Sequence, residues 1–352
     1  MEAKSSHLVV TKNNNFDIIR FFAAILIVWF HSYPLSGTGN NHEFIYLLSR
    51  GQMTAGSLGV MIFFVISGLL IPMSYQRTNN VVQFFKARVL RIMPAFIVVI
   101  LLSAFVLGPL VSDLPLGAYF KHPMTWDYLK NMTLYTMRYN LPGVFTENIY
   151  PNAINGSIWT LWYEFFYYIV IIVLGLSKLL RKETSLILYG LCLVMVFLNV
   201  QTGYYYWLLG MYFFAGMVFY YWRDTIVLNG KIALAAFVLI IASIFLGHLP
   251  EMLSFAGSYL IFFFSLGPVP KLANFSRFGD LSYGIYIYSF IIQQLLMYLF
   301  HNQLSQLQNF FFTLPLVMIC AYISWHLIEK NCMKLKNKKL FPIRKVDGLN
   351  HE

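Results

Sequence analysis

Long apolar stretches separated by short polar turns fill most of this chain, and their lengths are those of membrane-crossing helices. A helix spanning a bilayer needs about 20 mostly apolar residues, each adding about 1.5 Å of rise. Stretches of that kind occur at 16–36, 57–75, 90–110, 158–176, 184–200, 204–222, 231–247, 251–267, 281–300 and 310–328. They predict an all-α fold, a polytopic membrane helix bundle of about ten transmembrane helices. One connection is long, 111–155, and carries Pro115, Trp126, Tyr128, Tyr135, Tyr139, Pro142 and Pro151. Long ordered loops tend to be functional. This one is expected either to cover a site or to lie along the interface without chemistry. No internal repeat and no low-complexity segment interrupts the series.

The basic residues test this layout independently. An even number of spans puts both termini on one side. If that side is the cytoplasm, only Arg50, Lys121, Lys130 and Arg138 of the 25 Lys and Arg residues fall outside. Such a bias is what the positive-inside rule requires. The chain therefore divides into a cytoplasmic N-terminal segment (1–15), a membrane domain (16–330) and a basic cytoplasmic tail (331–352). The basic run at 334–339 is expected to lie against anionic lipid headgroups.

Composition agrees. Only 11% of the 352 residues are charged, against about 25% in soluble domains, so much of the surface must face lipid. A net charge of +11 would point a soluble protein toward nucleic acid. Here the cations sit in short loops between apolar stretches, so topology accounts for them and a nucleic-acid partner is not expected. Cys192, Cys320 and Cys332 have no metal-ligand spacing and form no disulfide framework. No metal site is expected, and no cleavable signal pattern precedes the first apolar segment.

Ionisable residues inside a span are costly and mark candidate functional sites. In the first span, Arg20 and His31 are eleven residues apart, close to three helical turns, so both project from one face. The rise puts His31 about 16 Å deeper than Arg20. One stripe thus offers a cation near the cytoplasmic boundary and a titratable base at or beyond the midplane. The second span carries Gly56, Gly59, Ser67 and Gly68. Its small residues permit close helix packing, and Ser67 adds a hydrogen-bond donor. Arg88 and Arg91, one turn apart where the third span enters from inside, are placed either to hold phosphates or to anchor topology. Glu164 lies several residues deep in an apolar helix and needs a partner there, His31 or an arginine. Next to His31 it would orient the ring or raise its basicity.

Taken in order, these elements resemble the acyltransferase 3 family of bacterial inner-membrane proteins. The likeness rests on Arg20-x10-His31, the glycine-rich element from Gly56 to Gly68, and Arg88-x-x-Arg91 with Pro94. It continues through Trp159, Glu164 and Tyr167, the stretch Phe278 to Tyr286, and Trp325-x-x-Ile328-Glu329-Lys330. Two positions depart from the family pattern. Ser289 stands near the place of a common histidine, and Asn331 stands where a proline usually follows the closing Glu-Lys.

The resemblance implies a stand-alone, multi-pass O-acyltransferase of the bacterial inner membrane, without an appended soluble domain. It would move an acyl group, usually acetyl, from coenzyme A to a hydroxyl of an extracytoplasmic glycan such as O-antigen or exopolysaccharide. Its partners would be acetyl-CoA or another acyl-CoA, a carbohydrate or lipid-linked glycan, and membrane lipids, with no permanently bound cofactor. His31, Glu164 and Arg20 would form the catalytic set, and Arg88, Arg91 and Ser67 the donor-binding set. A glycan or lipid transporter is the rival expectation, since buried charges and aromatics suit transport too. Paired broken helices and internal symmetry, frequent in transporters, are not evident. His122-x4-Asp127 imitates a glycerolipid acyltransferase element but lies in the long loop, outside the soluble α/β context that chemistry uses.

Overall fold

Each of the ten apolar stretches folds as a helix. In chain order they are α1 (Phe16–Leu35), α2 (Ala55–Thr78), α3 (Val81–Val111), α4 (Ser157–Leu176) and α5 (Lys182–Phe197). Then come α6 (Tyr204–Tyr221), α7 (Gly230–Leu246), α8 (Leu249–Leu266), α9 (Ser282–Leu299) and α10 (Gln306–Lys334). The computed structural model describes residues 6–7, 14–272, 275 and 279–337. Lys4, Lys12, Arg277, Phe278, Lys338, Lys339, Arg344 and Lys345, on which parts of the charge pattern and one family element rest, lie outside the described residues.

Six of the helices, α1, α2, α3, α4, α8 and α10, are long and apolar enough to cross a membrane, and the protein is an α-helical membrane protein. Of the other four, α5 and α7 have 16 and 17 residues, just short of the usual span, and α6 and α9 have 18 residues, as α8 does, but are less apolar. Local sequence starts several helices. Thr54, Asn80 and Asn229 each accept a backbone N–H in the first turn of α2, α3 and α7. Ser305 and Gln308 form a capping box at α10.

Successive helices run in opposite directions. Asn15, before α1, donates to Phe264 O at the end of α8 (2.9 Å), and Gln52, before α2, donates to Ile244 O at the end of α7 (2.8 Å). The start of α1 and the ends of α2 and α10 therefore share one end of the bundle, and the 111–155 connection lies at the other.

Glycine sets the tightest crossings. A Cβ on Gly68 of α2 would lie 1.8 Å from Phe213 O of α6, and one on Gly216 of α6 would lie 2.1 Å from Val65 O. Backbone meets backbone there, which only glycine allows. Gly59 similarly admits the Ala23 carbonyl of α1. The glycines of the second span are thus packing residues, and they fix where Ser67 points.

The 111–155 connection is a folded cap. Short helices at Leu116–Lys121 and Pro123–Asp127 precede a 3-10 turn at Tyr128–Thr133. Tyr119, Tyr128 and Asn131 are fully buried. Tyr119 donates to Ala104 O of α3 (2.9 Å), and Asn148 donates to the Gln294 side chain of α9 (2.9 Å). His122 spends its Nδ1 capping the Pro123–Asp127 helix, and Asp127 pairs with Lys130 and Arg138, so that apparent motif is structural.

Candidate functional site

A cavity of about 340 Å³ opens among α1, α2, α3, α4, α9 and the end of α10. One face of α2 lines it from Val60 through Ser67 to Arg77. That is 17 residues, or about 25 Å of helix. The cavity is therefore elongated along the bundle axis. Its wider chemistry is graded. Arg20, Arg77, Arg88 and Lys336 border it toward the end where the described chain begins and finishes. Thr160 and Tyr286 border it deeper in the bundle.

Five of the six sequence-derived site residues line this cavity together: Arg20, Ser67, Arg88, Arg91 and Glu164. Arg88 makes no ion pair among the described residues. Its Nε is buried without a hydrogen-bond partner, and its guanidinium lies 5.9 Å from the Phe84 ring centre and 6.0 Å from that of Tyr168. Glu164 accepts a hydrogen bond from Tyr168, one turn further along α4.

Arg91 also lines the cavity, but its charge is committed. It pairs with Asp280, just before α9, and with Glu329 Oε2 of α10 at 3.3 Å. Glu329 sits in a π-helical turn, Trp325–Glu329, and accepts a further bond from Ser324 (3.1 Å). Such turns interrupt α-helices often at functional positions. Burial opposes ionisation of Asp280. Arg91, Arg20 and the Ser282 hydroxyl outweigh it and hold the carboxyl below the usual carboxylate range.

His31 is set apart from these groups. It faces α4 and α9, the same side as Arg20, as the eleven-residue spacing requires. Its ring stacks edge-on to Phe290 at 5.2 Å, and its Nδ1 lies 3.4 Å from Ser157 Oγ. It does not border the cavity. The expected pairing with Glu164 is not formed, because Glu164 lies seven residues beyond Ser157 on α4, about 10 Å nearer the Arg20 level. A chain of bonded groups links the cavity lining to His31 through Ser157. Tyr286 donates to Ser157 O, and Thr160 Oγ1 bonds Tyr286 at 2.6 Å.

Several residues of this site were not singled out by sequence. Arg77 and Lys336 counted only toward the charge pattern, and Thr160, Tyr168 and Ser157 carried no signal of their own. Tyr286, Asp280 and Glu329 carried a signal only through the family stretches that contain them.

The acyltransferase domain family matches residues 13–326. An O-acetyl transferase of Shigella phage Sf6 is 29% identical, over 94% of this chain and 98% of that protein. Nodulation protein 10 of Rhizobium leguminosarum bv. viciae is also 29% identical, over 92% of this chain and 94% of its own length. No solved structure is significantly similar.

Proposed function

The chain belongs to the acyltransferase domain family, and on that premise we propose that it carries an acetyl group from acetyl-CoA to a hydroxyl of an extracytoplasmic glycan across the bacterial inner membrane. O-acyl transfer is the activity its family and its O-acetyl transferase relative support. The observation that carries the fuller reading is the graded cavity. Among the described residues it has cations without an ion pair at one end and, at the other, the Thr160 and Tyr286 hydroxyls, bonded to the Ser157 that meets His31.

In this reading the cationic end faces the cytoplasm. Arg20, Arg77, Arg88 and Lys336 take the phosphates of the donor, since guanidinium and ammonium groups form strong charge-assisted bonds to phosphate oxygens. Arg91, held by two carboxylates, shapes the wall beside them. The thioester arm lies along the Val60–Arg77 face of α2, past Ser67. The acceptor arrives from the capped end of the bundle. His31 takes the proton of its hydroxyl as the oxygen attacks the acyl carbon, and the coenzyme A thiolate leaves and recovers that proton. The products are the ester and free coenzyme A. Glu164, on the cavity wall with Tyr168, acts on the donor side and not on His31 directly.

Transport without covalent change is the rival, and the family and its named relatives favour transfer. The test uses purified protein in nanodiscs with acetyl-labelled acetyl-CoA and isolated surface glycan. Label should move to the glycan, and His31→Ala should stop it while the protein still inserts. Label that stays on coenzyme A with the wild-type protein, or full transfer by His31→Ala, overturns the proposal.

A further inference from the structure

His31 needs an orienting partner if it is to act as a base, because a free imidazole ring presents either nitrogen. Glu164 is too far along α4 to be that partner. Among the described residues, the polar side chain within reach is Ser157, whose Oγ lies 3.4 Å from His31 Nδ1. The surroundings of Ser157 are unusual for a serine at the start of a helix. Its backbone is pinned on both sides. Its N–H donates to Asn155 Oδ1 (3.1 Å), and its carbonyl accepts from Tyr286. Asn155 is itself fixed, donating through Nδ2 to Ile287 O of α9 (2.9 Å). Tyr286 has one proton to give and gives it to Ser157 O, so Thr160 must donate to the Tyr286 oxygen. Ser157 and Asn155 are fully buried. With both backbone groups held, the Ser157 Cβ is fixed beside His31, and the staggered rotamer it adopts brings Oγ to the ring.

The other side of the ring is also constrained. Phe290 meets it edge-on, and Gly156 leaves no room behind Phe290, since a Cβ there would lie 2.7 Å from that ring. The imidazole is thus held between a hydroxyl and an aromatic edge.

We infer that Ser157, clamped by Asn155 and Tyr286, is the positioning residue of His31: it occupies Nδ1 and leaves Nε2 to take the acceptor's proton. This rests on the reading of His31 as the base. The chemistry balances. The acceptor O–H proton moves to Nε2, the oxygen bonds the acyl carbon, the carbon–sulfur bond breaks, and the thiolate takes the proton back from Nε2. Throughout, Nδ1–H donates to Ser157 Oγ and keeps the ring in one tautomer. Tyr286 and Thr160 border the donor cavity; the Tyr286 hydroxyl holds Ser157 and is itself bonded by Thr160. Tyr286 therefore belongs both to the wall that meets the donor and to the clamp that aims the base.

The test compares His31→Ala, Ser157→Ala and Ser157→Thr in nanodiscs, with kcat and the KM for acetyl-CoA measured separately. Aligned general bases contribute about 100- to 10,000-fold, so losing the alignment should remove a substantial part of that. Ser157→Ala is expected to lower kcat about ten-fold or more with KM for acetyl-CoA within two-fold. Ser157→Thr, which keeps the hydroxyl, is expected to recover most of the rate. Wild-type kcat in Ser157→Ala, with His31→Ala inactive, overturns the inference and leaves the base reading standing. Equal losses in both Ser157 variants, with raised KM, also overturn it, because packing and not the hydroxyl would then matter. Activity retained in His31→Ala sinks the base reading and this inference together.

Discussion

Replacing Arg91 with alanine would leave two carboxylates facing each other without the cation that joins them. Arg91 ties three elements: α3 through its own backbone, the segment before α9 through Asp280, and the π turn of α10 through Glu329. The Arg91 and Asp280 side chains are 21% and 16% exposed and Glu329 only 1%, so water can do little to replace the lost partner. Breaking a buried pair from one side typically costs about 3–5 kcal/mol. Arg91→Ala should therefore destabilise the bundle by that order, measured as unfolding free energy in mixed micelles. Arg91→Lys should fall between, since an ammonium cannot fork to two acids as a guanidinium does. The triple variant Arg91→Met, Asp280→Asn, Glu329→Gln should regain most of the loss, because no uncompensated charge remains. Arg91→Ala unfolding within about 1 kcal/mol of wild type, far below that cost, while its KM for acetyl-CoA rises sharply, would refute the reasoning. The charge would then be kept for the donor and not for the two acids.

Three further outcomes follow from the same geometry. Arg88→Ala removes a charge-assisted donor worth about 1.5–3 kcal/mol, so KM for acetyl-CoA should rise roughly 10- to 100-fold. Steady-state kinetics would detect it, and an unchanged KM would remove Arg88 from the donor site. Gly68→Ala puts a methyl 1.8 Å from a backbone oxygen that no rotamer change can move. It should cost about 1–3 kcal/mol or more, read as a lower melting temperature in detergent, and a wild-type melt would refute the close crossing. Asp280 has its carboxyl held below the usual carboxylate range, so its ionised form contributes stability above the ordinary value near 3.8 and loses it as pH falls through the lowered one. Melting temperature should therefore show no loss from this group between pH 7 and pH 5. A drop across that window in wild type that Asp280→Asn abolishes would contradict the assignment.

Much of this protein was legible from the chain alone, because the quantity that decides it is local. Whether a helix sits in lipid depends on the residues it carries, so all ten apolar stretches were readable, although four of them form helices that are shorter or less apolar than the other six. The same holds for the shared stripe of Arg20 and His31, since helical periodicity fixes the direction of a side chain from its number. What composition and spacing could not give was distance between helices. Glu164 and His31 are both buried polar residues in an apolar bundle, and sequence made them natural partners. The crossing of α1 and α4 puts them two turns apart and gives His31 to Ser157. Arg88 and Arg91 look equivalent in sequence. Only the meeting of α3 with Asp280 and Glu329, 189 and 238 residues away along the chain, commits Arg91 and leaves Arg88 without an ion pair among the described residues. Local pattern determines which residues must avoid lipid, and tertiary packing alone decides which of them meet.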